Sequence, residues 1–127
     1  MKDFFSVILL ISVCFFLGCV NSRYQNNRNL LKEYAFCKCF EYATKDSQFS
    51  KNDLSESIYK EIANYNPAVY QIIDSLATRA AFGIEPSQIA DHEGKKAILL
   101  NCFSFYKSTE LDSVVKKMDD KVLPGWK

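Results

Sequence analysis

Two consecutive apolar stripes at helical spacing, one on either side of Ser108, constrain the fold of this chain more than any other part of its sequence. At about 100° per residue, Ile98, Leu99, Cys102, Phe103, Phe105 and Tyr106 share one broad face, with Cys102 near its middle. A cysteine so placed points inward, where it packs as a small hydrophobe or meets another cysteine. Ser108 is suited to cap the following helix, with Glu110 near that helix's positive end. Leu111, Val114, Val115 and Met118 then repeat at i, i+3, i+4 and i+7, and Val122 extends the stripe.

The same period runs through the rest of the chain. From Leu30 to Thr44, the residues Leu31, Ala35, Phe36, Cys39, Phe40, Tyr42 and Ala43 fall on one half of a helical wheel, with Lys32 as the exception. Ser50 to Asp53 reads as a capping box opening a second helix, whose stripe is Leu54, Ile58, Ile62 and Tyr65. Asn66-Pro67 opens a third, with asparagine as cap and proline at the first helical position. Its apolar half holds Val69, Tyr70, Ile72, Ile73, Leu76, Ala77, Ala80 and Ala81, and Gly83 suits a left-handed residue at its end. Four glycines and three prolines are too few to punctuate a sheet of many short strands. The expected fold is all-α: one compact domain of about five helices.

The first residues bear on compartment. Lys2 precedes an apolar run from Phe4 to Leu17, the length of a signal-peptide core and short for a bilayer span. Gly18-Cys19 then reads as a lipoprotein junction at which Cys19 becomes the acylated N-terminus; ordinary cleavage nearby and an uncleaved anchor are the alternatives. The expected organisation is a signal peptide over 1–18, a polar asparagine-rich tether over 19–29 and a helical domain over 30–127. Sixteen basic and fifteen acidic residues leave a net charge of +1, so nothing in the composition points to nucleic acid or an anionic membrane surface, and membrane attachment would come only through the N-terminal lipid.

Cysteine usage agrees with export. With Cys14 in the signal core and Cys19 acylated, Cys37, Cys39 and Cys102 remain. Two residues apart on a helix, Cys37 and Cys39 diverge by about 200°, so only one faces inward. Cys39 lies among Ala35, Phe36, Tyr42 and Ala43, whereas Cys37 lies toward Glu33 and Thr44. This predicts a Cys39–Cys102 disulfide between the first and fourth helices, the alternative being two reduced buried thiols. Cys37, Cys39, Cys102 and His92 lack the spacing of common zinc hooks. His92 sits in a polar loop beside Asp91 and Glu93, with no orienting partner that would make it the base for a cysteine nucleophile. Asp119-Asp120 reads as solvated charge after a helix end. No enzyme signature, metal site or cofactor site is expected. The apolar helical faces fit core packing better than a lipid-carrier lining, because a domain this small needs nearly all its apolar residues inside.

The arrangement Cys102-Phe103-x-Phe105-Tyr106-x-Ser108-x-Glu110-Leu111-Asp112-x-Val114-Val115, with Trp126 near the chain end, resembles the amidase-immunity proteins of type VI secretion systems. A fainter likeness covers Ala35 to Asp46, where Cys39 matches the family's first cysteine. Asn101 and Lys107 stand where the family usually has lysine and histidine, and Cys37 has no counterpart. The resemblance implies a small periplasmic helical domain, often a homodimer, that blocks the active cleft of a secreted papain-like peptidoglycan amidase without chemistry of its own. Within that frame the connection Gly83 to Glu93 is the candidate contact surface. Ile84 and Ile89 are apolar residues among polar ones, Pro86 stiffens the segment, and Glu85, Gln88, Asp91 and Glu93 offer polar contacts to a basic rim. Outside the resemblance, a lipid-anchored envelope adaptor with a structural role is the competing function. A neighbouring gene for a cysteine amidase, as against an envelope-assembly operon, discriminates the two.

Overall fold

The structure is a computed structural model that describes residues 24–45 and 47–125. The signal-peptide segment, Cys19 and Trp126, and with them the expectations of cleavage, acylation and a folded-back tryptophan, lie outside the described residues. The described chain is all-α. Helix α1 spans residues 24–44, followed by α2 (Ser47–Asn52), α3 (Ser55–Ala63), α4 (Pro67–Phe82), α5 (Ile98–Tyr106) and α6 (Thr109–Lys116), with short 3-10 turns at Ala90–His92 and Asp119–Lys121. The five expected helices are joined by one short addition, α2. Among the described residues the only β pairing is the isolated bridge Tyr65–Val122.

Helix α1 is the hub of the domain. Its Leu31, Tyr34, Ala35 and Cys39 are fully buried, and side chains along its length tie it to every later helix of eight or more residues. Cys39 is bonded to Cys102 of α5, with the two Cα atoms 5.7 Å apart. The Tyr34 hydroxyl donates to Asp74 of α4 at 2.5 Å, and its ring meets that of Tyr70 edge-on at 5.1 Å. Lys32 pairs with Asp112 of α6 and lies 4.8 Å over the Tyr106 ring, which accounts for a lysine on the apolar half of the wheel. Lys38 pairs with Glu41 and with Glu56 of α3. The helix starts earlier than the apolar pattern predicts. Residues 24–29, read from sequence as the end of the tether, are helical, and Arg28 makes a two-pronged pair with Asp119, 91 positions along the chain.

Two caps stand where their residue types predict. The Asn66 side chain accepts from the Ala68 N–H at 3.0 Å with Pro67 at the first helical position, and the Ser108 hydroxyl accepts from the Leu111 N–H at 3.1 Å. Two expectations fail. Ser50 to Asp53 is no capping box; the end of α2 lies there, and the Asp53 carboxylate takes the Ser55 N–H instead. Gly83 is right-handed, at φ −75°, because the Ile84 N–H bonds back to the Ala81 carbonyl and turns Ile84 into the core. Asn64 closes α3 in the left-handed region that asparagine tolerates. From there the Asn64–Asn66 strip holds the C-terminal segment through Asn66 N–H to Lys121 and Leu123 N–H to Asn64.

The core takes fewer apolar residues than the helical wheels assign to it. Val69, Tyr70, Ile73, Ala77 and Ala81 of α4, Cys102 and Phe105 of α5, and Leu111 and Val115 of α6 are buried as the stripes require. By contrast Leu54 (69% exposed), Ile58 and Ile62 of the α3 stripe face solvent, and Tyr65 is buried only after the helix has ended. On α5, Leu99 (61%) and Phe103 (47%) are exposed too, and Ile72 of α4 is partly so. On α3 and α5 the apolar arc is wider than the contact with the bundle covers.

Candidate functional site

The connection from α4 to α5 is a stapled projection. The Ile84 side chain is in the core, 4% exposed, and anchors the segment at its start. Beyond it the backbone closes on itself. The Ser87 N–H donates to the Lys95 carbonyl at 2.7 Å and the Gly94 N–H to the Ser87 carbonyl at 3.2 Å. Inside that closure the Ile89 N–H donates to the Ser87 hydroxyl at 3.2 Å, the His92 N–H to the Ile89 carbonyl at 2.8 Å, and the Lys95 N–H to the His92 carbonyl at 3.0 Å. Gly94 supplies the left-handed residue, at φ +76°, that lets the chain turn back. The result is a self-bonded loop over residues 87–95, fixed by its own backbone and carrying outward side chains.

Glu85, Gln88, Asp91 and Glu93 are all exposed on this projection, as is His92 within its 3-10 turn. Ile89, 67% exposed, is the large apolar residue of the loop, whereas Ile84 has turned inward and belongs to the base. The loop therefore splits the two isoleucines between anchoring and display. A self-bonded backbone with displayed side chains would lose little conformational entropy on docking.

A concavity runs along α1 between α3 and α5. A groove of about 410 Å³ is lined by Glu33, Phe36, Cys37, Ser55, Tyr59, Phe103 and Tyr106. It adjoins a smaller hollow of about 220 Å³, lined in part by Phe40, Asp53 and Leu99, and the two share Phe36, Cys37 and Ser55. Phe36 and Phe103 meet edge-on across it at 6.3 Å, while Phe103 stacks with Tyr106 at 5.9 Å. Cys37, the free cysteine among the described residues, is half-buried at the junction. Burial and the surrounding carboxylates Asp53, Glu56 and Glu33 push its thiol up to about 11, so the thiol form dominates near neutral pH. Sequence pattern placed Cys37 on the polar side of its helix and gave no sign of the groove, which exists only because α3 and α5 flank α1.

Sequence reasoning also passed over Lys38, which is buried (7% exposed) in a charged cluster. Its Nζ meets Glu41 and lies 3.1 Å from Glu56, which in turn takes Lys60 at 2.6 Å, and the Tyr42 ring lies under the ammonium at 4.6 Å. Burial opposes the charge of Lys38, but the two carboxylates outweigh it and hold its pKa above the ordinary lysine value. The cluster joins α1 to α3, the two helices whose Cys37 and Tyr59 line the groove. The Lys38–Glu41 spacing of i, i+3 was the available signal.

No catalytic constellation is assembled from the sequence candidates. Cys39 and Cys102 are consumed in their disulfide, and His92 stands on the exposed loop. Among the described residues no group of three or more His, Cys, Asp or Glu side chains converges to hold a metal, and no helix is long and apolar enough to cross a membrane.

Neither the curated proteins nor the solved structures give a match. A family model described as type VI secretion system amidase immunity protein, Tai4, matches residues 29–115, which run from α1 through the buried Val115 of α6. That span takes in both disulfide cysteines, the stapled loop and the Ser108 cap, and the chain belongs to the Tai4 family of type VI secretion system amidase immunity proteins.

Proposed function

We propose that this chain binds a cognate secreted peptidoglycan amidase in the periplasm and blocks its active cleft, with the 87–95 loop entering or bordering that cleft. The observation that carries this reading is the loop itself: closed by the Ser87–Lys95 and Gly94–Ser87 bonds and displaying Ile89 beside Gln88, Asp91 and Glu93. Ile89 supplies the apolar contact, and Glu85, Asp91 and Glu93 face the basic groups of the cleft. No chemistry is required of the inhibitor, because occlusion alone excludes substrate. Export through the N-terminal segment and attachment through an acylated Cys19 place the domain where the amidase acts. A second copy of the chain is a further partner in this reading.

The test is co-expression with the amidase encoded by the neighbouring gene, directed to the periplasm and scored for rescue from lysis. It is paired with the affinity of the purified proteins. Replacing Glu85, Gln88 and Asp91 together by alanine should leave thermal stability unchanged, since all three are exposed, and weaken binding at least tenfold. An affinity within about threefold of wild type, roughly 0.7 kcal/mol, would place the inhibitory surface elsewhere.

A further inference from the structure

The 87–95 loop has a root at each end, and the two are built differently. On the α4 side it is held by Ile84, whose side chain lies in the core. On the other side, Cys102 and Phe105 of α5 are the only buried residues from position 85 to position 110. Ser87, Ile98, Tyr106 and Ser108 are half-buried, and the rest of the stretch faces solvent. Among the described residues, the side-chain hydrogen bonds of 85–107 stay inside that segment. The Ser87 hydroxyl takes the Ile89 N–H, Asn101 donates to the Ala97 carbonyl, and Ser104 donates to the Leu100 carbonyl. Two ring contacts reach out of it, Phe103 edge-on to Phe36 and Tyr106 beneath Lys32. Neither ring is buried.

A segment of this kind has little to hold it in place by itself. Helix α5 is nine residues long, starts at Ala97 without a side-chain cap and has no acidic residue in its first turn. Helices so short are marginal in water unless packing supplies their stability. Here the buried packing is one aromatic ring and one sulfur, and that sulfur is bonded to the fully buried Cys39 of α1. We infer that the Cys39–Cys102 disulfide is the second root of the loop, so that the chain inhibits its amidase only once this bond has formed. This rests on the function proposed above and adds the redox state on which that site depends. Closing the bond passes two electrons and two protons from the two thiols to a protein disulfide of the oxidising compartment, which leaves as a dithiol. Before that step the loop and α5 open as one low-stability unit, ahead of the bundle formed by α1, α4 and α6. Each opening lifts the loop off its base, and affinity falls by the fraction of molecules that remain closed.

Hydrogen exchange read by peptide mass spectrometry tests the opening, and affinity for the amidase of the neighbouring gene tests its consequence. In Cys39→Ala/Cys102→Ala, peptides of α5 should exchange faster relative to those of α4 by at least tenfold more than they do in the oxidised wild type. Wild-type protein reduced by a dithiol and kept under it should show the same widened gap. The double variant should bind the amidase at least tenfold more weakly. Val115→Ala, which weakens the core on α6 and leaves the segment alone, should bind within threefold of wild type although it is less stable. An unchanged exchange gap, or a double variant that binds within threefold of wild type, overturns the inference. A double variant that loses its helical signal throughout also overturns it, because the bond then holds the whole domain and not this segment. If the oxidised wild type binds no amidase, the proposed function fails while the exchange comparison still decides whether the segment opens. If the Glu85, Gln88 and Asp91 alanine variant loses binding and the double cysteine variant does not, only the inference about the disulfide fails.

Discussion

Removing the Cys39–Cys102 disulfide tests how this small domain holds together. The bond spans 63 positions and joins α1 to α5 at two side chains with no exposed surface. In the chain-entropy model a closed loop of that length removes about 14 cal/mol/K from the unfolded ensemble, or about 4 kcal/mol at 25 °C. Domains of this size have a total stability of about 5–15 kcal/mol, so the bond is a large share of it. Replacing both cysteines by alanine also removes two sulfurs from a closed core, which acts in the same direction. Urea unfolding of Cys39→Ala/Cys102→Ala against wild type should show a loss of about 4 kcal/mol, with the midpoint of thermal unfolding lower by about 15–30 °C. The urea dependence should steepen as well, because an unfolded chain freed of its cross-link exposes more surface. Cys37→Ala, at a half-buried free thiol, should cost no more than about 1 kcal/mol. A double variant within about 1.5 kcal/mol of wild type would refute the argument, showing that packing and not the cross-link holds α1 against α5.

Two further outcomes are expected. Burial of Glu56 works against its charge, but its hydrogen bonds to Lys60 and Lys38 prevail and hold its pKa below the ordinary carboxylate value. A carboxylate depressed in the folded state adds stability above its unfolded pKa and loses it as pH falls through the folded one. The stability difference between wild type and Glu56→Gln should therefore be constant near neutrality and shrink toward about pH 3; a difference independent of pH would remove the cluster from the account. At the N-terminus, mass spectrometry of protein from its native host should find a diacylglyceryl cysteine at Cys19. An intact Met1 would reject cleavage, and a terminus beyond Cys19 would reject acylation while leaving export standing.

What the sequence determined by itself was local or followed from single-helix geometry. Asn66 and Ser108 cap their helices because their oxygens reach backbone donors two or three residues on, a matter of residue type and position alone. The 200° between Cys37 and Cys39 selects the one that meets Cys102, since rotation about a helix is set before any packing occurs. The motif around Cys102 carried the family for the same reason: its residues are spaced by the helices they cap and fill. Of the candidate site, the loop and its displayed polar residues were legible as the longest connection. Its closure was not, because the Ser87–Lys95 bond joins backbone groups that any residue provides.

What only the tertiary structure decided was which apolar faces find a partner. Helical periodicity marks Leu54, Ile58 and Ile62 as readily as Leu111 and Val115, yet one bundle core has room for only part of each arc. The same limit leaves Leu99 and Phe103 outside and makes them the wall of a groove. Lys38 is the converse case, a cation drawn inside because α3 brings Glu56 to it from 18 residues away. Residue spacing governs where a side chain points from its own helix. Whether it meets protein or solvent depends on a second helix, and no spacing within one helix contains that information.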